Sequence, residues 1–317
     1  MTNIRKVAET AGVSVSTVSR VLNGHPYVRE DKRRIVLETI KALNYTQNAN
    51  AVHLSRGKTN SIGVVLPYLN LPYYGEILQG IAEEALKADY HLRLYQTNYE
   101  AHAELDAFEA LRMKEVDGLI IASRTNGLEE LKGFMEGDRP IVFCENLESD
   151  SLRSVYIDHY QAMGRALSYL QEKGYRKIGL CIHRLSGKNS EDRMRAFREH
   201  PGIEVRNEWI FTGCYHMEDG CRVLGEWVNL KERPETLVIT SDQVAAGLLS
   251  EAGRRGVSIP QDLALLSFDN HPISELMGIT SIEVPSRSLG REAFRMFLQE
   301  GRHRSVLQTT LFERDTV

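Results

Sequence analysis

From residue 61 onward, short apolar runs alternate with longer stretches whose apolar residues recur every three or four positions. Runs of the first kind read as buried strands, and stretches of the second kind as amphipathic helices. The spacing predicts strands over 61–66, 92–96, 118–122, 141–144, 155–157, 177–182, 237–240 and 264–268. It predicts helices over 73–88, 103–113, 160–173, 192–199, 217–228, 243–255 and 288–298. Strand–helix alternation demands parallel sheets joined by right-handed crossovers. About eleven strands are expected in all, more than one open sheet usually carries, so this part of the chain should divide into two α/β lobes.

Composition narrows the function classes. With 42% hydrophobic and 26% charged residues, the 317-residue chain can bury a substantial core, which excludes a disordered tail. No apolar run approaches the roughly twenty residues of a membrane span. The N-terminus, MTNIRKVAET, has no apolar stretch of the kind an export signal needs. Cys144, Cys181, Cys214 and Cys221 stand far apart without a CxxC pair, so buried, reduced thiols of a cytosolic protein are expected rather than disulfides or zinc. Enzyme readings fare poorly: no G-x-S-x-G or GxGxxG is present, Gly187-Lys188-Asn189-Ser190 lacks the spacing of a phosphate loop, and the ten histidines show no metal spacing. No catalytic residue, metal or cofactor is expected.

The charge is divided unevenly. Residues 1–60 hold ten Lys or Arg against four Asp or Glu, a surplus of +6, while the whole chain carries −4. A basic head on an acidic body points to a polyanion met by the head alone. Asn3 can cap a first helix through Val7, Ala8 and Ala11, and Gly12 permits the tight turn that follows. Ser14 can cap a second helix, with Val18, Val21 and Leu22 on one buried stripe, ending at Asn23-Gly24. A third helix is expected over 29–43, with Val36, Ile40 and Leu43 inward. This is helix-turn-helix geometry.

The outward face of the second helix is Val15, Ser16, Thr17, Ser19 and Arg20, small or hydroxylated apart from the arginine. Such a face lets a helix lie close against a surface. In a DNA major groove Arg20 could hold guanine O6 and N7, Ser16 could meet either base type, and Val15 could touch a thymine methyl. Thr17 and Ser19 suit phosphate oxygens. The alternative, a low-charge helix packed on another part of the chain, leaves the basic surplus without a role.

The runs VAETAGVSVSTVSRVLNG and LNYTQNANAVHLSRGKTNSIGVV resemble the LacI/GalR family of bacterial transcription regulators. The resemblance implies an N-terminal three-helix head (1–45), a hinge helix (46–59) and an effector-binding body (60–317). That body would be two-lobed and similar to periplasmic binding proteins. Its lobes would be about 60–157 with 286–309, and about 158–285 with 310–317, the chain crossing near Asp158, Pro285 and Thr310. It further implies that Val15, Ser16 and Arg20 read an operator, with Asn23 ending the reading helix. Leu54, with Ala51 on the same face, would wedge open the minor groove; a tether whose Leu54 docks on the body is the alternative. Where the family usually has an acid, this chain has Lys6.

Ligands of open α/β sheets gather at the carboxyl ends of the strands. The polar and aromatic residues there are Tyr73, Tyr74, Ser123, Arg124, Glu145, Asn146, Asn189, Arg193, Tyr215, Asp242, Asp269 and Asn270. Carboxylates, amides and an arginine facing rings suit a sugar. By resemblance Arg193, Asp242, Asp269 and Tyr215 match effector-holding positions. Together these features imply a cytoplasmic, nucleoid-associated homodimer that binds double-stranded operator DNA. The expectation is a repressor of a carbohydrate-utilisation operon, controlled by a small-molecule effector, a sugar, in the cleft between the lobes. A nucleobase or partner-protein co-regulator remains open, and a sugar receptor without DNA binding is the remote alternative.

Overall fold

The computed structural model describes residues 3–46, 57–135, 137–147, 149, 151–301 and 304–317. The chain divides into two compact units, Met1–Thr59 and Asn60–Val317. In the first, α1 (Ile4–Thr10) is capped by Asn3, whose Oδ1 accepts the Lys6 N–H at 3.0 Å. Gly12, at φ +64°, turns the chain into α2 (Val15–Leu22), capped by Ser14, whose hydroxyl accepts the Thr17 N–H at 3.2 Å. The third helix, α3 (Glu30–Ala42), closes a small core of Val7, Ala8, Val18, Val21 and Val36.

The second unit begins with β1 (Ser61–Leu66), α4 (Pro72–Lys87), β2 (His91–Gln96), α5 (Ala101–Arg112) and β3 (Leu119–Ile121). Next come α6 (Leu128–Met135), β4 (Ile141–Phe143), β5 (Arg153–Ile157) and α7 (His159–Glu172). They are followed by β6 (Ile178–Cys181), α8 (Lys188–Glu199), β7 (Ile210–Phe211), α9 (Met217–Asn229), β8 (Thr236–Ile239) and α10 (Asp242–Arg255). The last are β9 (Ala264–Asp269), α11 (Pro272–Leu276), β10 (Thr280–Glu283), α12 (Ser286–Leu298), β11 (Arg304–Leu307) and β12 (Thr310–Phe312).

The strands form two six-stranded sheets, in the orders β11-β5-β4-β3-β1-β2 and β12-β10-β9-β8-β6-β7. All pairings are parallel except β10 with β12, which is antiparallel. The first sheet therefore places β1 between β2 and β3, and the second places β6 between β7 and β8. Each sheet thus has the switch point at which crossovers part to opposite faces and leave a crevice. The chain passes between sheets three times: from β5 into α7, from β10 into α12, and from β11 into β12.

Several elements depart from the sequence expectation. Twelve strands lie among the described residues, and β7, β10, β11, β12, α6 and α11 match none of the segments that the spacing predicts. The strand β10 is hidden in the sequence because its core residues are polar. The Thr280 backbone N–H donates to Thr316 Oγ1 at 2.9 Å, and the Ser281 hydroxyl donates to Asp242 at 2.8 Å. Hydrogen bonds satisfy these two buried polar residues, while Ile282 of the same strand joins the apolar core.

Each lobe is braced by a helix pair packed through reciprocal glycines. On α4, a Cβ at Gly80 would strike the Arg287 carbonyl; on α12, a Cβ at Gly290 would strike the Ile77 carbonyl. Gly220 on α9 and Gly247 on α10 repeat the device, against the Val244 and Met217 carbonyls. Around the first contact, Glu83 accepts from Arg287 Nε at 2.9 Å and from Arg291 Nε at 2.7 Å. These guanidiniums hold the Glu83 carboxyl down at about 2. Beneath, Ile77, Ile81, Leu289 and Phe294 are fully buried, each contributing about 1.5–3 kcal/mol of apolar burial. Gly290→Ala should force the helices apart and cost about 1–3 kcal/mol, lowering the body's melting temperature by about 2–10 °C. Calorimetry showing an unchanged melting temperature would contradict this packing.

Candidate functional site

The crevice between the two sheets holds an enclosed cavity of about 40 Å3, room for roughly three waters. Its walls come from carboxyl ends of strands in both sheets. The segment after β1 brings Tyr73 and Tyr74, the second residue after β3 is Ser123, and β4 leads to Glu145. From the second sheet come His183 and Arg184 after β6, Thr240 and Ser241 after β8, and Asp269 at the end of β9. The first turn of α8 adds Asn189, and its second turn adds Arg193.

Three polar atoms in this wall are buried without a hydrogen-bond partner: Tyr73 Oη, Arg193 Nε and Thr240 Oγ1. Arg193 is only 6% exposed, with its guanidinium 5.5 Å from the centroid of the Phe268 ring. Buried polar groups left unpaired cost about 1–3 kcal/mol each, so three around one small space mark it as built for something polar. Burial lowers the Arg193 pKa and raises those of Tyr73 and Tyr74, the latter to about 12. Tyr74 Oη lies 3.0 Å from Tyr99 Oη. The Asp269 carboxyl is pushed well above its usual range by burial and by the Asp242 charge. Asp269 also holds φ at +106°, a conformation that costs an L-residue about 1–3 kcal/mol and concentrates at ligand sites. Glu145 is ion-paired with Arg124 at 3.3 Å, though burial, outweighing that attraction, raises its pKa.

Seven of the twelve body residues singled out from sequence therefore meet at one cavity: Tyr73, Tyr74, Ser123, Glu145, Asn189, Arg193 and Asp269. Five do not. Arg124 turns to Glu145 and to the Asn126 carbonyl, which accepts from its Nη1 at 2.7 Å, and Asn270 Oδ1 accepts from Arg314 Nη2 at 2.7 Å. Asp242 faces inward, accepting from the Ser267 and Ser281 hydroxyls and from the His271 N–H at 2.6 Å; it pins α10 to β9 and β10. Asn146 accepts from Arg304 Nη2 at 2.9 Å, on the far side of Glu145 in the chain. Tyr215 packs one layer back, 5.1 Å from the His183 ring and 6.1 Å from the Tyr68 ring. Their positions just after strands suggested the cavity, but partners from distant segments had already taken their polar atoms or faces.

The same rule, carried one residue further, would have reached His183 and Arg184, which directly follow β6. Arg184 lies over the Tyr99 ring, 3.6 Å from its centroid. Burial, reinforced by Arg193 and Arg184, lowers the His183 pKa to about 3, so its imidazole is neutral. Among the described residues no His, Cys, Asp and Glu cluster is arranged to hold a metal, and no helix is long and apolar enough to cross a membrane. All four cysteines are free thiols.

On the first unit, α2 presents Val15, Ser16, Arg20 and Asn23 as exposed residues and Thr17 and Ser19 as half-buried ones. The Ser14 hydroxyl links to those of Ser16 at 2.8 Å and Thr17 at 2.9 Å, and Asn23 Nδ2 donates to Ser19 at 3.4 Å. Arg20 pairs with no carboxylate among the described residues. The result is a low face with one free cation, the shape a helix needs to enter a groove. Ala51 and Leu54 lie outside the described residues.

Comparison with known proteins agrees with both halves. Residues 3–48 match the model described as bacterial regulatory proteins, lacI family, and residues 59–315 match periplasmic binding proteins and sugar binding domain of LacI family. The chain is 44% identical to the HTH-type transcriptional regulator YkvZ of Bacillus subtilis (strain 168) over the full length of both. It is 34% identical to catabolite control protein B of the same organism, over 95% of each chain. The lac repressor dimer, solved with operator and the anti-inducer ONPF, superposes with a TM-score of 0.83 at 23% identity, over 99% of this chain and 98% of that one. The relatives are named as regulators, not as enzymes. On this evidence the chain belongs to the LacI family of DNA-binding transcription regulators, with a helix-turn-helix head and an effector-binding body.

Proposed function

We propose that the chain is a homodimeric repressor of a carbohydrate-utilisation operon, released or engaged by a small polyhydroxylated effector in the interlobe cavity. Residues 1–45 read DNA, 46–59 form the hinge and 60–317 bind effector. The observation that carries the effector half is the trio of unpartnered buried atoms, Tyr73 Oη, Arg193 Nε and Thr240 Oγ1, converging on one space. A sugar answers them with hydroxyls, while Tyr73, Tyr74 and Tyr99 offer rings to its C–H faces. The cavity of about 40 Å3 is too small for a whole monosaccharide, so the lobes must part, or Arg184 must lift from Tyr99, to admit one. An effector that binds the two lobe arrangements unequally shifts the population between them, and so shifts DNA affinity by the same coupling free energy.

The DNA half rests on the α2 face. One helix-turn-helix reads one half-site, so a two-fold operator needs two heads. Val15, Ser16 and Arg20 would contact base edges; Thr17 and Ser19 would contact phosphates, with Asn23 at the helix end. Leu54, with Ala51 beside it, would wedge the central step of the operator.

Arg20→Ala should cost about 1–3 kcal/mol of operator affinity and relax the preference at one base pair of each half-site. Binding curves identical to wild type on operator and single-substituted operators would remove that role. Tyr73→Phe deletes a hydroxyl that nothing in the protein satisfies. It should leave the melting temperature of the ligand-free protein unchanged or slightly raised, yet weaken effector binding by about 1–3 kcal/mol. A loss of stability without loss of effector affinity, by thermal shift and titration calorimetry, would make Tyr73 structural.

A further inference from the structure

This inference rests on the cavity being the effector site and concerns the chemistry of what enters it. The charges on its wall are unequal. Among the described lining residues, Glu145 is matched by Arg124, and Lys188 is matched by Asp192 at 3.1 Å. That leaves Arg184 and Arg193 facing Asp269. Arg184 pairs with no carboxylate among the described residues and is held 3.6 Å over the Tyr99 ring. Arg193, 6% exposed, buries a guanidinium with its Nε unpartnered. With Asp269 opposing Arg193, the wall keeps one positive charge in excess, and an anion is the group that balances it.

Both arginines border the start of α8. This helix runs for 12 residues and has no side-chain N-cap, so its first N–H groups and its dipole favour an anion. Lys188, Asn189 and Ser190, its first turn, line the same cavity. Gly187 precedes it at φ +91°, and a Cβ there would strike the Arg184 guanidinium. Glycine therefore lets the arginine lie against the helix start. The Glu191 carboxylate folds back only as far as the Gly187 N–H, at 3.2 Å. The local field is positive enough that Arg193 and Arg184 both help depress the neighbouring imidazole of His183.

We propose that the effector carries an oxyanion, a phosphate ester or a carboxylate, seated between Arg184, Arg193 and the first turn of α8. The polyhydroxylated remainder would then face Tyr73, Thr240 and Asp269.

The test uses the full chain with glucose, gluconate, glucose 6-phosphate and inorganic phosphate, each followed by thermal shift and calorimetry. Wild type and Arg184→Gln are compared after confirming that their ligand-free melting temperatures agree. Inorganic phosphate probes the oxyanion seat whatever the sugar skeleton, and gluconate against glucose 6-phosphate separates carboxylate from phosphate. At least one anionic probe should bind wild type about tenfold or more tighter than glucose, and lose about tenfold in Arg184→Gln, the worth of one charge-assisted contact. Should glucose stabilise the protein while every anionic probe is inert, the oxyanion is wrong and the sugar-effector reading stands. Anion binding unaffected by Arg184→Gln also overturns the seat. All four probes inert would overturn both the oxyanion and the sugar-effector reading.

Discussion

A guanidinium held out of water, with an Nε that nothing in the protein satisfies, is the constraint around which the body's crevice is built. Arg193 is 6% exposed and lies on α8 facing the carboxyl ends of the strands. Asp269, the acid that opposes it, has its pKa raised by burial and by Asp242, against the pull of Arg193 itself. Folding stability from elsewhere must therefore hold the cation in place. The two lobes supply it through large buried cores and through glycine-packed helix pairs that resist deformation. Three chain crossings join the two lobes, a connection about which hinge motion, as the proposed function requires, would open or close the crevice. Cost at the site and rigidity around it are complementary: a ligand that pairs the cation stabilises whichever lobe arrangement lets it do so.

Much of this was legible in the residues. Short apolar runs and period-3.6 patterning located eight strands and seven body helices to within a few residues, because all of them except the edge strand β2 bury apolar side chains. Patterning failed where burial rests on polar satisfaction. The strand with Thr280 and Ser281 is held partly by hydrogen bonds; its β-branched residues Ile279, Thr280, Ile282 and Val284 were a strand signal, but the polar residues among them break the apolar run that located the others. The cavity was legible to the same depth. The strand-end rule finds the correct end of each sheet but not which way a given side chain points. Asp242 and Asn270 stand at equivalent places after their strands as Ser241 and Asp269 do, yet only the latter pair line the cavity. Ser281, 39 positions away, decides the fate of Asp242, and such distant pairings leave no local signature. His183 and Arg184 were missed for the converse reason: they look like the frayed end of an apolar strand.

The head follows a different economy. Its core of Val7, Val18, Val21 and Val36 is small, and what matters is what α2 leaves outside. Under the proposed reading, small hydroxylated side chains would allow close approach to a duplex and Arg20 would supply a bidentate donor. The basic surplus lies in the first sixty residues, while the rest of the chain is acidic. That division suits the same reading, since a polyanion attracts the basic segment and repels the acidic remainder.

The claim that the head reads duplex DNA is tested most directly by selecting binding sites from a random duplex pool with the purified full chain, then titrating the winning duplex by fluorescence anisotropy at two salt concentrations. The account predicts a two-fold symmetric motif, bound roughly a thousandfold or more tighter than scrambled duplex, with affinity falling steeply as salt rises. A pool that yields no symmetric motif, or a selected duplex bound no better than scrambled DNA, would contradict it.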